Sequence, residues 1–191
     1  MQPDPDRPLV QAAAAGDRDA FGALVLRYQS RIVNLARVMV SDAADADDLA
    51  QEAFIRAYKA MGKFRGDSSF RTWLYRVAVN VIQSHLASRS RRWRLWGVTR
   101  PRDDQGDVAA ELPSPAPSAE DEAMRRQLID RALASLPSEM RAVVMLRDVQ
   151  GFEYAEIAQI LGVPIGTVES RIFRARQRLR PLLAPLIGVG R

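Results

Sequence analysis

The stretch YAEIAQILGVPIGTVESRIFRARQRLR, residues 154–180, decides how this chain is read. Tyr154, Ile157, Ala158 and Leu161 recur at three- and four-residue steps, the apolar stripe of a short packed helix. Gly162 follows where a helix end needs a left-handed residue, and Pro164 stands where the next helix begins. In that second helix Ile165, Val168, Ile172, Ala175 and Leu179 repeat with the same period and are the expected buried side. Thr167, Ser170, Arg174 and Gln177 then turn outward, with Arg171 and Arg178 on the flank. Two helices packed around a glycine turn, the second with five arginines (Arg171, Arg174, Arg176, Arg178, Arg180) against Glu169, predict a helix-turn-helix. Its second helix suits the DNA major groove, where arginine pairs with guanine edges or phosphates. The pattern alone leaves an ordinary solvated basic helix as the alternative.

The chain has 191 residues, 47% of them hydrophobic, which suffices for one large domain or two small ones. A net charge of +5 permits a nucleic-acid partner without requiring one, and the distribution of charge says more than its sum. Residues 42–52 carry five acids and no base, residues 87–102 six arginines and no acid, and residues 103–122 seven acids and no base. Blocks of alternating sign fit a chain laid across a partner with a charge map of its own. With no cysteine and a single histidine, His85, neither a disulfide, a metal site nor a nucleophilic triad is expected. No cofactor site and no catalytic site emerge, so the chain is not expected to be an enzyme. No apolar run approaches the roughly 18–20 residues of a membrane span, and MQPDPDRP lacks a signal-peptide pattern. A soluble cytoplasmic protein is expected.

Strand signals are nearly absent, which places the chain in the all-α class. A short helix from Leu9 is closed by Gly16, and Asp17 caps a longer one striped by Phe21, Leu24, Val25, Tyr28, Ile32, Leu35, Ala36 and Met39. A third helix, from about Ala43 to Met61, places Leu49, Ala50, Ala53, Phe54, Ala57, Tyr58 and Met61 inward. After the loop KFRGDSS a fourth carries Trp73, Leu74, Val77, Ala78 and Val81. The pattern dissolves between about residues 91 and 119 into arginines, acids and Pro113, Pro115 and Pro117, a flexible charged linker. Periodicity resumes with Met124, Leu128, Ile129 and Leu133, and then with Val143, Val144, Leu146 and Val149 after Pro137. Two small helical domains, residues 8–90 and 120–184, are expected on either side of residues 91–119.

DDLAQEAFIRAY (47–58) and KFRGDSSFRTWLYRVAVN (63–80) resemble region 2 of bacterial sigma factors. SLPSEMRAVVMLRDVQGFEYAEIAQILGVPIGTVESRIFRARQRLR (135–180) resembles their region 4. The length and the order of motifs are similar to the extracytoplasmic-function group and its envelope-stress members. The resemblance implies an alternative sigma factor that binds core RNA polymerase, directs it to promoter DNA and helps to melt the duplex. Asp47, Asp48, Gln51 and Glu52 would meet the clamp helices of the β′ subunit, with the β subunit as a further contact. Acids at a helix start are also favourable on their own, near unpaired N–H groups.

For the −10 element the resemblance points to Lys63, Phe64, Arg65, Ser68, Arg71, Arg76 and Asn80, the loop holding a flipped base. The residue types agree with strand separation, which needs cations for phosphate and platforms or pockets for bases. Trp73 and Phe70 read as packing aromatics. After Asn80 the chain departs from common family usage, with Ile82, Gln83, Ser84 and His85 leaving fewer basic residues. For the −35 element the resemblance points to Thr167, Ser170, Arg171, Phe173 and Arg174, and Arg178 is expected on the neighbouring phosphates. Glu169 stands where relatives often carry a base. The acidic linker resembles the segment that threads the polymerase cleft in relatives, a solvated tether being its other reading. An anti-sigma factor is an implied partner; insertion into a membrane is not implied. The rival reading, a free-standing helix-turn-helix regulator, gives the acidic third helix and the aromatic loop no task.

Overall fold

The computed structural model describes residues 4–40, 42–95 and 119–187, and these are helical with no strand among them. The acidic block over residues 103–118, together with Arg100 and Arg102, lies outside the described residues. The α-helices among these residues are α1 (Arg7–Ala14), α2 (Arg18–Met39), α3 (Ala43–Ala60), α4 (Phe70–Leu95), α5 (Ala119–Ala134), α6 (Ser138–Val144), α7 (Tyr154–Leu161) and α8 (Ile165–Ile187).

In the first domain the Asp17 carboxylate accepts from the N–H groups of Asp19 and Ala20 at 2.9 and 3.1 Å, which starts α2. Phe21, Leu24, Tyr28, Ile32, Leu35, Ala36 and Met39 are buried as their spacing predicts, with Val25 at the edge. Asp42 caps α3, and the buried faces of Ala46, Ala50, Ala53 and Ala57 let it lie close against α2 and α4. A single 3-10 turn, Met61–Lys63, closes α3 and leads into the loop over residues 64–69. Helix α4 then runs to Leu95, beyond the end near residue 90 that its pattern suggests. Near its middle, His85 Nε2 comes within 3.4 Å of Asp45 at the start of α3.

The expected stripe on α4 proves incomplete. Leu74, Ala78 and Val81 are buried, but so are Tyr75, Val79 and Ile82, which lie off that stripe. A second packing surface accounts for the difference: α7 of the other domain lies against α4. The two domains are therefore in contact in this structure rather than standing apart.

In the second domain, Ala142 through Leu146, Phe152, Ile157, Ile160, Val168, Ile172, Ala175 and Leu179 form the core. Three expectations need correction. Val149, which the periodicity places with Val143, Val144 and Leu146, is 55% exposed. The helix widens there into a π turn, Met145–Val149, closed by Gln150 N–H on the Met145 carbonyl at 2.9 Å, and the extra residue rotates the following side chains out of register. Ile165 is 48% exposed because it is the first residue of α8, ahead of the turn that packs. Met124 and Ile129 of α5 are exposed too, since only the end of that helix, at Ala132 and Leu133, reaches the core. Helix α8 extends past Leu183 to Ile187 despite Pro181 and Pro185, and these final turns are largely solvent-facing, where a carbonyl that proline leaves unpaired costs least.

The turn between α7 and α8 is as the sequence predicts. Gly162 adopts φ 65° and ψ 37°, and its N–H closes the helix on the Ala158 carbonyl. A Cβ at this position would meet no neighbouring atom, so the cost of substitution is conformational alone. Gly162→Ala should destabilise the second domain by about 1 kcal/mol. Urea unfolding followed by circular dichroism checks this: the midpoint falls while the helical signal of the folded state stays the same.

Candidate nucleic-acid and polymerase interfaces

Helix α8 presents its basic face as follows. Val168, Ile172, Ala175 and Leu179 anchor one side, so Ser170, Arg174, Gln177 and Arg178 face solvent. Phe173 is 63% exposed, an aromatic ring with no core to occupy. The Ser170 hydroxyl donates to the Thr167 carbonyl at 3.0 Å and keeps its lone pairs outward, while Thr167 is half-buried. The five arginines are not equivalent. Arg171 is half-buried and paired with Glu139, and Arg176 pairs with Asp148, whose hydrogen bond pushes the guanidinium pKa further up. Arg174, Arg178 and Arg180 are exposed and carry no ion pair among the described residues. Spacing alone did not separate the two sets, because the partners come from α6 and the π turn.

The loop and α4 form a second surface. Lys63, Arg65, Gly66 and Asp67 are exposed, and Gly66 takes φ 76°, so the loop apex projects outward. Phe64 is half-buried, its ring 5.1 Å from Trp73 and 6.2 Å from Phe70. Ser68 is half-buried and donates to the neighbouring Ser69 carbonyl at 3.4 Å. Arg76 and Asn80, four residues apart, share one exposed face of α4 with the half-buried Trp73.

Arg71 stands elsewhere. Its guanidinium donates to the Gln150 carbonyl and lies 3.9 Å from the centroid of the Phe152 ring, both in the second domain. The neighbouring Thr72 hydroxyl donates to Glu156 at 3.1 Å, and Tyr75 donates to the Gln150 side chain at 2.6 Å with its ring edge-on to Phe152. Burial pushes the Tyr75 hydroxyl up to about 12, against the lowering effect of Arg71 and Arg31, so it remains a neutral donor near pH 7. A fourth link runs from Arg141 to the Val38 carbonyl at 3.0 Å. The π turn is what places Gln150 and Phe152 on α4. Sequence reasoning missed Tyr75, Gln150 and Phe152, since no local spacing reports a contact across some 75 residues.

The third surface is α3. Asp48 and Gln51 are exposed, Asp47 pairs loosely with Arg37 at 3.2 Å, and Glu52 pairs with Arg56 one turn on at 2.7 Å. Ile55 is 41% exposed, seven residues from Asp48 and so on the same face. Its position off the inward stripe was a usable signal that it faces outward.

Residues 24–92 match the family described as Sigma-70 region 2, and residues 126–179 match Sigma-70, region 4. The chain is 43% identical to the RNA polymerase sigma-H factor of Pseudomonas aeruginosa over 189 residues, covering 95% of both chains. It is 40% identical to the ECF RNA polymerase sigma-E factor of Escherichia coli K12 over 185 residues, covering 95% of this chain and 96% of that one. The chain belongs to the extracytoplasmic-function sigma factors. Among solved structures it is similar to the sigma factor RpoE of Bartonella quintana, crystallised with the anti-sigma factor NepR, at 28% identity and a TM-score of 0.69 over 90% of this chain and 98% of that one. It is also similar to CnrH in complex with the cytosolic domain of CnrY, at 29% identity and a TM-score of 0.67 over 94% and 97%.

As a sigma factor the chain is a transcription initiation factor: it directs RNA polymerase to promoters. Among the described residues no helix is long and apolar enough to cross a membrane. In the form seen here the sigma factor holds its two domains together through α4 and the end of α2, and Arg71 Nε is buried on α4 with no acceptor. Arg71→Ala removes a ring contact and a charge-assisted hydrogen bond while leaving Phe152 in its own core, and should weaken the contact by about 1–3 kcal/mol. Two cysteines introduced into this cysteine-free chain, one per domain, allow the distance to be followed by energy transfer. The variant should show longer distances than the parent at equal helicity.

Proposed function

We propose that the chain is an alternative sigma factor that divides its work among three surfaces. The face of α3 with Asp47, Asp48, Gln51, Glu52 and Ile55 takes the polymerase clamp. The loop over residues 63–69 with Arg76 and Asn80 takes the −10 element, Lys63 and Arg65 meeting phosphate and Phe64 backing the base pocket. The outer face of α8, with Thr167, Ser170, Arg171, Phe173, Arg174 and Arg178, takes the −35 element. Residues 8–90 thus serve polymerase binding and melting, residues 120–184 duplex recognition, and residues 91–119 connect them. The observation that carries this division is the exposed face of α8, where Phe173 and the free Arg174 and Arg178 stand outward while other arginines are held by acids of their own domain. An exposed aromatic beside free guanidinium groups fits thymine methyls and guanine edges.

The chain performs no catalysis and needs no metal or cofactor; chemistry stays with the polymerase. It works in the cytoplasm, in a stress response. Its structural relatives were solved with NepR and with the cytosolic domain of CnrY, which supports an anti-sigma factor as this chain's own inhibitory partner. Run-off transcription from the chain's own upstream region with purified core polymerase tests this division of work. Transcripts should depend on the added chain, and tight site-specific binding of promoter duplex by the chain without polymerase would overturn it.

Asp48→Arg combined with Glu52→Arg reverses the charge of the clamp face without touching the core. Core association should fall at least tenfold with helicity unchanged, measured by pull-down with purified core. The two exposed arginines of α8 should fail in different ways on holoenzyme. Arg174→Ala should cost about 1–3 kcal/mol on the preferred −35 sequence and relax discrimination at one base position. Arg178→Ala should weaken all sequences alike and lower the salt slope by about one unit. A panel of single-base −35 variants at several salt concentrations distinguishes these outcomes.

A further inference from the structure

The first described residues cross to the far end of their own domain. The Asp4 carboxylate accepts from the Phe70 N–H at 3.3 Å, a bond spanning 66 residues, and its other oxygen accepts from the Asp6 N–H at 3.0 Å. Asp6 is 1% exposed and accepts from the Tyr28 hydroxyl and the Arg27 guanidinium, so the strap is fastened to the middle of α2. Burial and the Asp6 carboxylate together push the Tyr28 hydroxyl far above its ordinary pKa, which keeps it a donor.

Phe70 is both the first residue of α4 and the hub of the aromatic cluster. Its ring lies 5.8 Å from Tyr28, 5.7 Å from Trp73 and 6.2 Å from Phe64. At the other end of the loop, α1 packs against the Met61–Lys63 turn. Both ends of the loop are thus tied to the N-terminal segment, while Arg65, Gly66 and Asp67 between them face solvent. The α4 N-terminus is also capped locally, by Ser69 Oγ on the Thr72 N–H at 3.1 Å. Asp4 serves the N–H group nearest the loop, which that local cap does not reach.

We propose that Asp4 is a positioning residue for −10 recognition: its carboxylate fixes the junction of the 64–69 loop with α4, so that the loop apex meets the displaced strand already in shape. The role rests on the assignment of that loop to the −10 element. A loop held at both ends loses less conformational freedom when a base docks, which favours the open complex over the closed one. The two carboxylate oxygens are engaged by backbone N–H groups, so the acid acts through the loop junction. Asparagine at this position has one acceptor oxygen and serves only one of the two N–H groups, whereas glutamate keeps both acceptors.

The test uses the full chain assembled with core polymerase, well below its unfolding temperature. Asp4→Ala should leave core binding unchanged, lower permanganate reactivity of the −10 thymines roughly tenfold, and flatten discrimination among single-base variants of a −10 single-stranded oligonucleotide. Asp4→Asn should fall between, and Asp4→Glu should restore much of the loss. Asp42→Ala removes a comparable carboxylate-to-backbone bond at the end of α3 remote from the loop, and should leave both readouts intact at a similar loss of stability. Equal effects of Asp4→Ala and Asp42→Ala would overturn the role, leaving Asp4 a stabilising cap only, as would wild-type melting and discrimination in Asp4→Ala. A chain whose residues 64–68 are replaced by glycine separates the two levels. If that chain fails to melt DNA while Asp4→Ala melts normally, the loop assignment stands and the role of Asp4 falls. If the glycine chain itself melts like wild type, the loop assignment falls and takes the role of Asp4 with it.

Discussion

Helix α4 has a single circumference on which three demands meet, and most of this structure follows from how they are shared. One side, with Leu74, Ala78 and Val81, belongs to the core of the first domain. A second, with Arg71, Thr72 and Tyr75, is covered by Gln150, Phe152 and Glu156 of the other domain. What remains is a face marked by Trp73, Arg76 and Asn80, at intervals of three and four residues. An amphipathic helix normally keeps about half its circumference for solvent. Here the second domain takes part of that half, so the exposed polar residues are confined to a narrow band beside the loop. The N-terminal strap then fixes where that band begins.

The architecture was legible wherever a local rule sufficed. Asp17, Asp42 and Gly162 mark helix ends because capping is decided by one or two neighbouring residues, and the α2 stripe follows from period alone. The outward placement of Ser170, Arg174 and Gln177 came from the same periodicity. The failures share a cause as well. Arg71 reads as a free cation by position, and Tyr75 does not read as buried, because their partners are distant in sequence. The π turn is invisible to a 3.6-residue template, and it is the feature that sets Val149 outward and aims Phe152 at α4. Met124 and Ile129 have the right spacing for a packed stripe, but spacing does not say whether a partner helix extends that far. Asp4 lies outside any helical pattern, so nothing local marked its bond to Phe70.

Charge on α8 follows a related division. Arg171 and Arg176 are held by Glu139 and Asp148, and these pairs set the side chains along the helix flanks rather than neutralising the groove-facing surface. Such partly exposed pairs are worth about 1 kcal/mol or less. Glu139 is itself 65% exposed, so a phosphate can replace it as the partner of Arg171 at little net cost. On the proposed assignment, Arg171 is thus an arginine oriented in advance, while Arg174 and Arg178 are fully solvated before binding. The ordering entropy of a long side chain is already spent in the first case and not in the other two. The proposed −35 surface therefore combines one preset contact with two that are ordered only on binding, Arg174 on a base edge and Arg178 on phosphate.

The contact between the domains has a polar, incompletely satisfied character that bears on how the sigma factor works with polymerase. Beside the packing of α7 on α4 and of α5 and α6 on α2, it includes, among the described residues, four hydrogen-bonded links, one edge-on aromatic pair and one arginine over a ring, with Arg71 Nε buried and unserved. A buried donor without an acceptor costs about 1–3 kcal/mol, which offsets much of what one neighbouring hydrogen bond contributes. Such a contact closes the free chain without locking it. On the proposed assignment Arg71 and Thr72 lie beside the −10 face of Arg76 and Asn80, so the second domain, while its Gln150 and Glu156 stay on them, borders the path of the DNA along α4. Any partner that favours separated domains then raises the affinity for the other, because each binds the same open state. On that assignment, a polymerase that separates the domains and a promoter that binds beside α4 are coupled by a free energy no larger than that of the contact itself, about a few kcal/mol. Such a coupling disfavours promoter binding by the closed chain before polymerase has set the spacing of its two proposed DNA surfaces.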